Sequence, residues 1–100
     1  MLSISSTANG EVEEVKLVGR LDVKAAKDAD ASFAEIAERG NDVVLDFTEL
    51  DYIASAGLRA IKRLRGALRT SGNSLVVRGA NDDVMEIFEM TGFAAMLEFE

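Results

Sequence analysis

Short apolar runs alternate along this chain with amphipathic stretches of helical spacing, and that alternation restricts the fold more than any other feature. Apolar residues gather at Val12, Val15, Leu17 and Val18, again in Val43-Val44-Leu45-Asp46-Phe47, and again in Ser74-Leu75-Val76-Val77-Arg78. Runs this short and this rich in β-branched residues read as strands, the later ones as interior strands. Between them, Ala26, Ala29, Phe33 and Ile36 recur at helical spacing, and Leu58, Ile61, Leu64, Arg65 and Leu68 lie near one helix face. Val84, Ile87 and Phe88 follow the acidic helix start Asn81-Asp82-Asp83, whose charges suit the positive end of a helix dipole.

Local signals set the boundaries. Leu2-Ser3-Ile4-Ser5 alternates, Asn9-Gly10 is a hairpin turn signal, and a strand resumes from Glu11 to about Val18. Gly19-Arg20-Leu21-Asp22 is expected to break it, with Asp22 capping the first helix and Gly40 stopping it. Thr48-Glu49-Leu50-Asp51-Tyr52 is expected to lead away from the second apolar run. A helix is expected from about Ala56 to Ser71 with Gly72 past its end, a third ends at Thr91-Gly92, and Met96-Leu97-Glu98-Phe99 closes the chain as a strand. The order is β-β-α-β-α-β-α-β. It predicts an α/β fold, a mixed sheet with an N-terminal β-hairpin, parallel later strands and helices packed against it. At 100 residues the chain makes one domain, residues 1–100.

Charge and composition narrow the function. A net charge of −7 opposes direct nucleic-acid binding. No run approaches the ~18 apolar residues of a membrane span, and Met1-Leu2-Ser3-Ile4-Ser5 is no secretory signal. A cytoplasmic protein without membrane insertion is expected. Between Asp51 and Asp82 lie six basic residues and no acid, leaving five basic and eighteen acidic residues, a net −13, elsewhere. The basic part centres on the second helix and reads either as cations suiting the helix's negative end or as a partner-binding face.

Ser55 stands among small residues where the second apolar run gives way to that helix. With no histidine and no cysteine in the chain, a Ser-His-acid triad is excluded and zinc lacks its usual ligands. Lys62 lies two helical turns beyond Ser55, and the G-x-S-x-G elbow is absent. Asp22, Asp46 and Asp51 read as caps and turns rather than magnesium ligands, and no Gly-rich phosphate loop occurs. The protein is expected not to be an enzyme, with no metal site and no cofactor. What remains for Ser55 is to accept a phosphate from another protein, at a helix N-terminus where the N–H groups of Ala56, Gly57 and Leu58 point toward it. The dianion would then disfavour a partner resting on Ile53, Ala54 and Ala56, or one offering carboxylates to Arg59 and Arg63. The plain alternative is that Ser55 is an ordinary N-cap and Gly57 a packing residue.

Leu45-Asp46-Phe47 followed by Leu50-Asp51-Tyr52-Ile53-Ala54-Ser55-Ala56-Gly57-Leu58 resembles the phosphoacceptor region of STAS domains, named for sulfate transporters and anti-sigma factor antagonists. Gly19-Arg20-Leu21-Asp22 resembles that family's turn before the first helix, and Met90-Thr91-Gly92-Phe93 its C-terminal pattern. The resemblance covers nearly the whole chain and is greatest to the free-standing bacterial antagonists. It implies a partner that is both anti-sigma factor and serine kinase. That partner binds the unmodified protein, releases its sigma factor, and weakens the complex by phosphorylating Ser55; a serine phosphatase resets the system. Asp22 matches an acidic position near the acceptor and Asp46 ends the strand leading to it; each is placed either to orient the hydroxyl or merely to cap. The implied docking surface is Asp22, Ile53, Ala54, Ala56, Gly57, Leu58, Arg59, Lys62 and Arg63.

One departure stands out. Many members carry Asp-Ser-Ser-Gly or Asp-Ser-Thr-Gly where this chain has Ala54-Ser55-Ala56-Gly57. The neighbouring acid and second hydroxyl are missing, which favours the rival expectation of a non-switching STAS accessory subunit of a membrane lipid transporter. Retention of Ser55-Ala56-Gly57-Leu58 favours the switch.

Overall fold

The computed structural model describes residues 2–100; Met1, the first residue of the expected domain, lies outside them. A hairpin of β1 (Leu2–Asn9) and β2 (Val12–Leu21) leads into α1 (Val23–Glu38), β3 (Asp42–Ile53) and α2 (Ser55–Thr70). Then come β4 (Leu75–Arg78), α3 (Asp82–Thr91), a 3-10 turn at Phe93–Ala95 and β5 (Glu98–Phe99). The sheet runs in chain order, β1-β2-β3-β4-β5, antiparallel in the hairpin and parallel thereafter. The mixed sheet inferred from the apolar periodicity is therefore present.

All three helices feed one core against one face of the sheet. The α1 positions at helical spacing, Ala26, Ala29, Phe33 and Ile36, are its buried residues. They meet Val15, Leu17 and Leu21 of β2, Val43, Leu45 and Phe47 of β3, and Ile61, Leu64 and Leu68 of α2 in a single cluster. Phe88 of α3 stacks on Phe47 with ring centroids 6.2 Å apart, closing the core beyond β4. The other sheet face is open and carries charges in pairs: Lys16 with Glu49, and Arg78 with both Glu14 and Glu100.

Both central strands outrun their expected ends. Gly19 takes φ 108° and lets β2 continue to Leu21 instead of breaking it. β3 continues through residues 48–53 because it absorbs extra residues against β2, with register shifts between Lys16 and Val18 and between Gly19 and Arg20. The first shift is held locally: one Asp46 carboxylate oxygen accepts from the Thr48 N–H at 3.0 Å and from its hydroxyl at 2.7 Å. These bonds keep the Asp46 carboxyl below its ordinary pKa, the Thr48 hydroxyl contributing most. Inward residues are then spaced by three, Phe47, Leu50 and Ile53, instead of by two. At the chain end, only Glu98 and Phe99 pair with β4, so the closing strand is shorter than expected.

One carboxylate lies inside. Glu13 is 2 % exposed and receives Arg39 bidentately, at 3.0 Å from Nε and 2.6 Å from a terminal nitrogen. Arg39 is the C-cap residue of α1, so the pair ties the start of β2 to the end of that helix. The Arg39 hydrogen bonds hold Glu13 below its usual carboxylate range, against burial, which acts in the opposite direction.

Candidate functional site

Parallel pairing of Leu21 with Ile53 makes β2 and β3 end level, so Asp22 and Ala54 leave the sheet side by side and each begins a helix. Asp22 does so with a full cap: extended backbone, and Oδ1 accepting the Ala25 N–H at 2.9 Å. Ala54 does so without one. It holds the N-cap position of α2 at φ −94°, ψ 168°, and its methyl group can accept nothing. Its own N–H is bonded to the Leu21 carbonyl at 2.9 Å, which pins the helix start to the sheet.

Ser55 is thus the first helical residue and not the N-cap, which corrects the capping alternative. It is exposed, and among the described residues its hydroxyl has no hydrogen-bond partner in the chain. The Leu58 N–H closes the first helical bond, to the Ala54 carbonyl at 3.1 Å. The free donors of the first turn are therefore those of Ser55, Ala56 and Gly57; Leu58 does not belong with them. An exposed hydroxyl beside an uncapped helix N-terminus is an accessible acceptor in a field that favours anions. Lys62, seven residues on, lies about 10 Å away along the helix axis.

The expected docking residues separate by their exposure. Ile53, Gly57 and Leu58 are buried, at 1 % and 3 % exposure for Ile53 and Leu58, so these three members of the implied docking surface face the core and not a partner; Leu58 keeps the inward face that its helical spacing predicts. Gly57 is there because nothing larger fits: a Cβ would lie 2.6 Å from Leu21 Cγ and 3.0 Å from Ile53 Cγ1. Ala54 and Ala56 are half-buried, while Arg59 and Lys62 are exposed and make no ion pair among the described residues. Arg63 is exposed but committed within the chain, clasping Asp30 of α1 through Nε at 3.1 Å and a terminal nitrogen at 2.5 Å. Asp46, inside β3, serves the strand irregularity and not the hydroxyl.

The structure adds residues that the sequence reading missed. Val23, first residue of α1, is 67 % exposed beside Asp22. Tyr52 is 36 % exposed, with the Arg20 guanidinium 4.5 Å from its ring centre. Val18, further down β2, is 37 % exposed. Apolar side chains left in water around the ends of β2 and β3 are what a protein contact consumes. Val23 gave no signal of exposure in the sequence, since it stands three residues before the buried Ala26, at the spacing that marks the inward face. Among the described residues, no helix is long and apolar enough to cross a membrane.

Residues 4–98 match the domain family described as "Mlab, STAS domain". BtrV of Bordetella bronchiseptica, which carries the name of an anti-sigma factor antagonist, is 36 % identical over 81 residues, 80 % of this chain and 70 % of that protein. An anti-sigma-B factor antagonist of Staphylococcus aureus is 26 % identical over 97 residues, 96 % of this chain and 90 % of the other. The Bacillus cell fate determinant SpoIIAA, solved in its phosphorylated form, superposes with a TM-score of 0.74 at 15 % identity, covering 100 % of this chain and 91 % of that one. With the hairpin-led sheet, the paired helix starts and a match across nearly its whole length, the chain belongs to the STAS domain family.

Proposed function

We propose that this protein is a cytoplasmic anti-sigma factor antagonist, a binding switch and not an enzyme, that docks an anti-sigma factor with serine-kinase activity. Its unmodified form would free the sigma factor. Transfer of the ATP γ-phosphoryl to the Ser55 hydroxyl, with ADP as the leaving product and the proton passing to the kinase, would end the complex, and a serine phosphatase would restore it. The observation that carries this reading is the exposed, unbonded Ser55 hydroxyl at the uncapped start of α2. Curated relatives named as antagonists and a phosphorylated structural neighbour support it.

The docking surface is the ends of β2 and β3 with the first turns of α1 and α2. Its half-buried Ala54 and Ala56 and the exposed Val23 and Tyr52 give apolar contact, and Arg59 and Lys62 give unpaired positive charge. A phosphate of roughly −2 set among these would impose desolvation on the apolar contacts and repel carboxylates drawn to the arginine and lysine. The departure at Ala54 and Ala56 removes the second candidate hydroxyl and leaves Ser55 alone.

The test is to incubate the protein with ATP and the serine-kinase anti-sigma factor of the same genome, and to locate phosphate by mass spectrometry. Phosphate on Ser55, with Ser55→Asp binding that partner about tenfold more weakly at unchanged thermal stability, is the expected result. Equal binding by wild type and Ser55→Asp would overturn the switch. Co-purification with a membrane lipid-transport complex, insensitive to Ser55→Asp, would establish the accessory-subunit reading instead.

A further inference from the structure

The two edges of the sheet are built differently. β5 is two residues long and carries acids, Glu98 within it and Glu100 after it, which is how natural sheets blunt a free edge. β1 has none of these devices. Its eight residues, Leu-Ser-Ile-Ser-Ser-Thr-Ala-Asn, include no charge and no proline, in a chain where 29 % of residues are charged. Its register against β2 runs from Leu2–Gly19 to Asn9–Val12 without a bulge. A straight, neutral edge of this length is an open template for another strand.

The register shows which strand suits it. The two-residue connection Gly10-Glu11, with Gly10 at φ 69°, makes Asn9–Val12 the closing hydrogen-bonded pair. Antiparallel alternation then turns the N–H and C=O groups of Asn9, Thr7, Ser5 and Ser3 toward β2, and those of Ala8, Ser6, Ile4 and Leu2 toward the free edge. These four positions are self-complementary. A second β1 placed antiparallel across a two-fold axis at Ser5 pairs Leu2 with Ala8 and Ile4 with Ser6 of the other copy, and satisfies every outward backbone group of both.

Charge also favours a like partner. The chain carries −7 overall, so most faces bring acids together when two copies meet, whereas β1 presents none. On the helix side, Leu2 and Ile4 are half-exposed and border a groove of about 520 Å³ against α1, lined by Lys24 and Asp28 among others. Pairing would cover part of both apolar side chains. From these observations we infer that β1 is a homodimerisation edge, joining two copies through antiparallel β1–β1 pairing into one continuous ten-stranded sheet. The two-fold contact buries little beyond backbone and parts of the Leu2, Ile4, Ser6 and Ala8 side chains of each copy, so the dimer is a weak, concentration-dependent one.

Ser5 gives the test. It is exposed and lies opposite Lys16 within the hairpin. Ser5→Glu therefore gains a favourable cross-strand neighbour in the monomer while placing like charges face to face at the dimer axis. Sedimentation equilibrium on the full chain, up to about 1 mM, should show reversible dimerisation of the wild type. The dissociation constant of Ser5→Glu should be at least about tenfold higher, with its melting temperature equal or higher. An equimolar mixture of Ser5→Glu and Ser5→Lys should dimerise again. A wild type that stays monomeric throughout, or a Ser5→Glu variant that dimerises as well as wild type, overturns the inference.

Discussion

Replacing Gly57 by alanine tests whether the site's geometry depends on how closely α2 approaches the strand ends. The added methyl would lie 2.6 Å from Leu21 Cγ, 2.9 Å from its Cδ2 and 3.0 Å from Ile53 Cγ1, against the ~3.5–4.0 Å of ordinary carbon contacts. Neither neighbour has space to yield, since Leu21 is 0 % and Ile53 1 % exposed. Overpacking by one methyl costs about 1–3 kcal/mol, and the better helix propensity of alanine returns ~1 kcal/mol. The net loss is about 0–2 kcal/mol, each kcal/mol lowering the melting temperature of a domain this size by about 4–8 °C. Gly66 is the internal control, lying in the same helix with nothing within 4 Å of its would-be Cβ. Gly66→Ala should stabilise by about 0.5–1 kcal/mol. Urea or thermal unfolding of the two variants isolates the close approach. If Gly57→Ala proves as stable as Gly66→Ala, the packing argument for the helix start fails. If it holds, the first turn shifts outward and Ser55 should be phosphorylated more slowly by the same kinase.

Four further expectations follow from particular contacts. Arg39→Met should destabilise more than Glu13→Gln, because the first strands a buried carboxylate and the second removes its charge; unfolding midpoints at neutral pH in the reverse order would refute this. Glu13, Asp42 and Asp46 have folded pKa values below their ordinary ones, so their stabilising contribution is present above about pH 4.5 and fades as pH falls through the depressed values. Urea midpoints should then drop as pH falls below about 4.5, and a flat profile would contradict it. Asp22→Asn should keep the α1 cap and the melting temperature, while Asp22→Ala loses about 1 kcal/mol; equal loss in both would deny the capping role. Charge reversal of Arg59 and Lys62 together should weaken capture of the anti-sigma factor at low salt with no change in folding, and binding equal to wild type by calorimetry would remove them from the docking surface.

How much of this was legible in the sequence depends on range. The α1 stripe of Ala26, Ala29, Phe33 and Ile36 was readable because helical burial is set by local spacing, and these are the residues buried. The second half of β3 was not. Two register shifts change its inward spacing, and the alternation that marks a strand disappears after Phe47. Ile53 was placed on the partner side for the same reason: the register shifts carry the inward set from Phe47 through Leu50 to Ile53, whereas Leu58 was legible as inward from its helical spacing. Glu13 was invisible as an interior group because Arg39 reaches it from 26 positions away. Its neighbour Val12, the apolar member of the pair, is the more exposed one.

β3 pairs with β4 only from Val43 to Asp46, so its last seven residues project past that neighbour like a beam clamped along one side. Where a continuing strand would have gripped it, a single amide does so. Asn81 donates from Nδ2 to the Leu50 carbonyl at 3.1 Å while its Oδ1 accepts the Val84 N–H at 2.8 Å and caps α3. One side chain thereby fastens both the overhang that carries Ser55 and the helix behind it. A drift in evolution that kept every residue around the hydroxyl but lost this asparagine would loosen the platform from the far side.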